Sequence, residues 1–252
     1  MAEAPAPVVE YAVVGGVAAI TLDSPHNRNA LSRQLLTELE EALDRAAADD
    51  AARVVLVRAA GRVFCSGADL AEARAGSMAE GASRIVALQR RILALPKPVV
   101  ARVHGAVRAG GTGIVAAADV AVAADDATFA LTEVKLGLAP AAISVTVLPR
   151  LTSRAAALAA LGGEVFSGAD AAAYGLVTTA VPAAELDAEV DRVCASLATG
   201  AAQGLRETKA LLNRDMVARL DEQGPGLAEL SARLFGSEEA RAAMTAFLQR
   251  GR

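Results

Sequence analysis

The sequence predicts an α/β fold with a largely parallel sheet and a helical carboxy-terminal part. Two observations carry this. Short apolar runs alternate with segments of helical period through the first two-thirds of the chain, and the last quarter is helical throughout. No stretch has the composition of a disordered linker. At 252 residues the chain is long enough to bury a sizeable core, as one large domain or two small ones.

Val8 to Leu22 reads as a β-hairpin, "VVEYAVV" and "VAAITL" about a Gly15–Gly16 turn. The loop "DSPHNRNALS" follows, and Ser32 is placed to cap a helix carrying Leu35, Leu36, Leu39 and Leu43 on one face. "RVVLVRAA" is a short buried strand ended by Gly61. Residues 71–95 read as a helix with Ile85, Leu88, Ile92 and Leu95 in one stripe, stopped by Lys97-Pro98. "VVARVHG" and "DVAVAA" are further strands, on either side of a glycine cluster and an apolar stretch at 114–118. Beyond "ATFALTEVKLGL", helices are expected near 153–161, 169–174, 185–198, 203–221 and 226–249.

Composition narrows the function classes. Hydrophobic residues make up 54% of the chain and charged residues 21%, and the formal charge of −4 gives no reason to expect nucleic acid or an anionic membrane as partner. Lysine is confined to Lys97, Lys135 and Lys209, so arginine supplies most of the positive charge. Cys65 and Cys194 lie far apart, and with only two histidines they make no metal-ligand spacing. They read as free thiols of a reducing cytoplasm. "MAEAPAPVVEY" has neither the basic nor the apolar region of a secretory signal, and no apolar run reaches the roughly 18 residues that span a bilayer. A cytoplasmic protein is expected.

Three stretches are candidates for chemistry. In "GRVFCSGADL" Gly67 permits a tight turn, the small Ala68 leaves its N–H accessible, and Asp69 is placed to cap a helix. In "RAGGTGIVAAAD" the glycines Gly110, Gly111 and Gly113 open an apolar helix, where backbone N–H groups suit a negative charge. Two such turns aimed at one point make an oxyanion hole. The competing reading is a dinucleotide fingerprint, since Gly111, Gly113 and Ala116 fit G-x-G-x-x-A. That fingerprint should leave a strand directly, whereas here His104 to Ala109 intervene after "VVARV". In "TFALTEVKLGLAP", Glu133 sits among apolar residues, which makes it a candidate proton carrier; a solvated glutamate paired with Lys135 is the alternative.

Taken together, "SPHNRNALS", "VFCSGADL", "KPVVARVHGAVRAGGTG", "AADVAVAADDATFALTEVKLGL", "GLVTTAVP" and "SEEARAAMTAFLQR" resemble the crotonase, or enoyl-CoA hydratase/isomerase, superfamily. They occur in the family's order and cover nearly the whole chain. The resemblance implies a ββα spiral over residues 1–195 and a helical trimerisation region over 196–252. It also implies homotrimers or dimers of trimers, acyl-CoA substrates, and no metal or redox cofactor. Ala68 and Gly110 match the two oxyanion-hole positions. Ala30, Leu31, Ser66, Asp69 and Leu70 match loops lining the CoA groove, with Gly111 and Gly113 beside them. Arg28 matches a possible phosphate contact, and Lys209 a basic position near the adenosine end. Glu133 fills one of two glutamate positions of typical hydratases, while Gly113 stands at the other. Hydration by a single glutamate is the first reading, with methylglutaconyl-CoA hydratase-like members suggested by "ALTEVKLGLAPAAIS". A Δ3–Δ2 enoyl-CoA isomerase, which needs one base, and a catalytically silent acyl-CoA binder are the alternatives. Arg108 and His104 depart from the family pattern, and Arg108 is a candidate partner for a substrate carboxylate.

Overall fold

A computed structural model describes residues 6–69, 72 and 78–250, the side chains of 78 and 247–250 excepted. Strands β1 (Val9–Val14) and β2 (Val17–Leu22) form the expected hairpin, with Gly15 and Gly16 both at positive φ in the turn. The large sheet continues in parallel through β3 (Val54–Ala59), β5 (Val99–Val103), β7 (Val120–Ala124) and β10 (Thr179–Val181), in the order β1-β2-β3-β5-β7-β10. A smaller sheet is built from β4 (Val63–Cys65), β6 (Ala106–Arg108) and β8 (Thr128–Ala130), all parallel, with β9 (Phe166–Ser167) antiparallel at its edge. Each pair β3/β4, β5/β6 and β7/β8 therefore places one strand in each sheet before the chain turns into a helical segment. This is the ββα spiral that the resemblance implies.

The central strands are buried on both faces, which is why they read as unbroken apolar runs. Helix α1 (Arg33–Ala48) starts at Ser32, whose Oγ accepts from the Leu35 N–H, and buries Leu35, Leu36, Leu39 and Leu43. Helix α2 (Met78–Ala94) crosses the site, and α3 (Gly110–Ala117) leaves β6. Beyond these come α4 (Ser144–Arg150), α5 (Ser153–Gly162), α6 (Gly168–Tyr174), α7 (Leu186–Ala198), α8 (Ala202–Phe235) and α9 (Glu238–Arg250). Among the described residues no helix is long and apolar enough to cross a membrane.

Three expectations are corrected. The glycine helix does come directly off a strand, because Ala106–Arg108 form β6. That strand lies in the smaller sheet and is too short to show a period in the sequence. The break expected between helices near 203–221 and 226–249 is absent: α8 runs through Pro225 for 34 residues, and the chain turns at Gly236 instead. Proline removes one helical hydrogen bond. The packing of α8 on α2 holds the helix through it, with Leu220 and Ala228 in the core and Arg90 of α2 paired with Asp221. Gly224 lets the two helices approach, since a Cβ there would lie 2.7 Å from Val86 Cγ1. Finally, a boundary after residue 195 falls inside α7, and α8 shares the core of the strands.

Candidate active site

A cavity of about 590 Å3 opens between the loop before α1, the turn after β4, the start of α3, the segment after β8 and the end of α8. Asn29 organises the first wall. It is fully buried at positive φ, its Nδ2 donates to Ala60 O and Val63 O, and its Oδ1 accepts from the Ser24 N–H. Sequence reasoning passed over it, although an asparagine in a loop of turn formers tolerates the left-handed region better than most residues. The loop so pinned reaches the turn after β4. The Leu31 N–H donates to Gly67 O at 2.8 Å, the Ser66 N–H to Arg28 O at 3.1 Å, and Leu31 pairs with Ala68 as an isolated parallel bridge.

The two glycine turns meet. Gly67 has φ +91°, and a Cβ on it would lie 2.8 Å from Ala109 Cβ. Ala109 itself has φ 44°, an unusual state for a residue with a side chain, directly before α3. Gly110 is the first helical residue, so its N–H precedes the first helical hydrogen bond and lies at the positive end of the helix dipole. Both Ala68 and Gly110 line the cavity, and Leu31 Cδ1 packs where a side chain at 110 would sit.

Glu133 faces the same cavity from a 3-10 turn, Thr132–Leu136. It is only 9% exposed, and its Oε2 has no hydrogen-bond partner. Burial pushes its carboxyl above the usual carboxylate range. Lys135 does not neutralise it but pairs with Glu164 at 2.8 Å. The other carboxylates on the wall are engaged: Asp69 accepts from Asn27 Nδ2 and the Glu72 N–H, Glu72 from the Arg33 N–H, and Glu80 pairs with Arg33.

Of the residues singled out in the sequence, Arg28, Ala30, Leu31, Ser66, Ala68, Asp69, Gly110, Glu133 and Arg108 come together on this wall. Leu70 lies outside the described residues. Gly111 and Gly113 are corrected, for both stand behind the wall. A Cβ on Gly111 would meet Cys65 Cβ at 2.7 Å, and one on Gly113 would meet Ile143 Cγ2 at 2.7 Å and Gln89 Oε1 at 3.0 Å. Gln89 was missed, although as a polar residue four positions after Ile85 it falls on the apolar stripe of α2. It is buried, donates to Ile85 O and Ala142 O, and accepts from Thr146 Oγ1. Lys209 is corrected too: it is buried, pairs with Asp119 at 2.8 Å and donates to Ile92 O and Lys97 O, so it ties α8 to the sheet. His104 lies away from the cavity, between Arg102 and Gly61 O. Among the described residues, no group of three or more His, Cys, Asp or Glu is arranged to hold a metal ion.

Two backbone amides and one desolvated carboxyl around an apolar cavity suit chemistry at a carbon beside a carbonyl, where charge grows on oxygen as a proton moves. The chain belongs to the enoyl-CoA hydratase/isomerase family, whose model matches residues 13–252. It is similar to an enoyl-CoA hydratase of Mycobacterium avium, whose crystal structure superposes with a TM-score of 0.91 at 45% identity over 98% of each chain. A "Probable enoyl-CoA hydratase" of Bacillus subtilis is 34% identical over 96% of both chains. The 1,2-epoxyphenylacetyl-CoA isomerase of Escherichia coli is 32% identical over 82% of both.

Proposed function

We propose that the chain is an acyl-CoA-processing enzyme that shifts a double bond, converting a 3-enoyl-CoA to its 2-enoyl isomer. Glu133 acts as the acid/base, and the Ala68 and Gly110 amides form the oxyanion hole. One observation carries the choice of reaction: the place where a second acid would stand is closed by Ile143 and Gln89 behind Gly113, which leaves Glu133 as the one unengaged buried carboxyl of the cavity among the described residues. The thioester oxygen accepts from the two N–H groups. Ionised Glu133 removes a proton from C2, and the electron pair passes into the dienolate, whose charge rests on that oxygen. Protonation of C4 by the same carboxyl moves the double bond to C2=C3 and restores the carboxylate. Desolvation helps, because a carboxylate destabilised by burial is a stronger base.

Hydration is the second reading. The relatives named as hydratases favour it, and the free Oε2 of Glu133 is placed to hold a water. Assembly of this chain in trimers or dimers of trimers has support in the exposed Leu158, Leu161 and Val165 about α5, beside the turn that carries Glu133.

The test supplies 3-enoyl-CoA and 2-enoyl-CoA in heavy-oxygen water, with wild type and Glu133→Gln. Conversion of the 3-enoyl ester without label is the expected result. Labelled 3-hydroxyacyl product selects hydration, and tight binding without turnover selects a silent acyl-CoA binder. Equal rates for both proteins would remove Glu133 from the chemistry.

A further inference from the structure

Arg108 ends β6 two residues before Gly110 and lies on the wall of the cavity that holds Glu133. Its side chain is half-buried and held only by neutral oxygens. Nη1 donates to Val107 O at 2.8 Å and to Thr128 O at 2.7 Å, and Nη2 donates to Thr128 Oγ1 at 3.3 Å. These bonds use both N–H groups of Nη1 and one of Nη2. The Nε–H and one Nη2–H are left without a protein acceptor, and a guanidinium takes a carboxylate through two bonds.

Among the described residues no carboxylate supplies that partner. Burial disfavours the charge of Arg108 with no acidic neighbour to offset it, and Glu133 in the same cavity is shifted by its own burial and not by Arg108. Two other arginines of the cavity differ in this respect, for Arg33 pairs with Glu80 and Arg84 with Glu40. A partly desolvated cation without an anion is costly unless the ligand brings one.

We propose that Arg108 receives a carboxylate carried by the acyl chain, so that the site selects acyl-CoA thioesters whose acyl part bears a free carboxylate. This rests on the acyl-CoA reading above. Such a substrate brings two kinds of anion, the acyl carboxylate and the phosphates of CoA, and reach separates them. Two residues put the Cα atoms of Arg108 and Gly110 at most about 7 Å apart. The phosphates are held off from the thioester at Gly110 by the whole pantetheine arm, whereas a carboxylate a few carbons along the acyl chain lies within range.

The test is calorimetric titration of the full chain with saturated CoA thioesters, which bind without reacting. Three ligands are compared: a straight-chain acyl-CoA, the terminally carboxylated acyl-CoA of equal chain length, and the methyl ester of the latter. The carboxylated ligand is expected to bind wild type on the order of 10- to 100-fold more tightly than the other two. Arg108→Gln should abolish that ratio, and Arg108→Lys should keep part of it. Equal affinity of wild type for the carboxylated ligand and its methyl ester overturns the proposal and leaves the acyl-CoA reading in place; this comparison needs no variant to fold. A uniform loss of affinity in Arg108→Gln for all three ligands and for free CoA makes Arg108 a phosphate contact and overturns the proposal as well. If wild type binds none of the thioesters, the acyl-CoA reading falls and takes this inference with it.

Discussion

Installing the acid that position 113 lacks, by Gly113→Glu, is expected to damage the protein and not to create a hydratase. The first added carbon lies 2.7 Å from Ile143 Cγ2 and 3.0 Å from Gln89 Oε1. Neither neighbour retreats easily. Ile143 is 3% exposed and its Cγ2 is fixed directly to Cβ, while Gln89 is 1% exposed and tied to Ile85 O, Ala142 O and Thr146 Oγ1. Overpacking of this kind costs about 1–3 kcal/mol, and replacing a helical glycine returns roughly 1 kcal/mol. Gly113→Ala should therefore lose about 0–2 kcal/mol. Glutamate adds the loss of Gln89's bonds and a buried carboxyl, at about 1–3 kcal/mol for each group left unpaired. The total is about 2–8 kcal/mol, a large part of a typical stability of about 5–15 kcal/mol. For a chain of this size Tm should fall by on the order of 10 °C. Calorimetric unfolding of Gly113→Ala and Gly113→Glu, run beside a 2-enoyl-CoA absorbance assay, measures both consequences. Ile143→Ala removes the clashing methyl, so it should combine with Gly113→Ala at less than the summed cost. A Gly113→Glu protein with the wild-type Tm and faster hydration would refute the reasoning, because it would show that position 113 opens into the cavity.

Glu133→Gln should lower turnover by on the order of 10²- to 10⁴-fold. It should also raise Tm at about pH 8 relative to wild type, with the gap closing near about pH 4. The sign follows from burial: the folded protein holds the Glu133 proton more tightly than the unfolded chain does. The stability this group contributes is therefore full below the ordinary carboxylate pKa and lost as pH rises through the raised one. Wild-type turnover should rise with pH over that same limb. Lys209→Met leaves Asp119 without its cation and should cost about 3–5 kcal/mol in calorimetric unfolding. Its affinity for CoA esters should stay at the wild-type value, since Lys209 is buried between α2 and the sheet. Burial pushes the Cys65 thiol up to about 12 and Cys194 to about 11. Native protein at about pH 8 should thus resist iodoacetamide, while denatured protein takes two labels by mass spectrometry.

Strand–helix alternation, the Ser32 cap and the two glycine turns were legible because each depends on residues close together in the chain. The parts that were not legible depend on what arrives from elsewhere. Pro225 reads as a helix end until α2 packs against the neighbouring Gly224, and Lys209 reads as a ligand contact until Asp119, 90 positions earlier, is placed beside it. Gly113 is the sharpest case. The sequence shows that no acid stands there, but not that an acid would have nowhere to go, since that depends on Ile143 and on Gln89 of α2. Gly113 and Gln89 are two sides of one contact: the missing Cβ lets the Gln89 amide close against α3, and the satisfied amide fills the space a carboxylate would need. A site lacking an acid merely by substitution would accept one back. This contact leaves no room for one, which supports the proposal that Glu133 works alone with one proton.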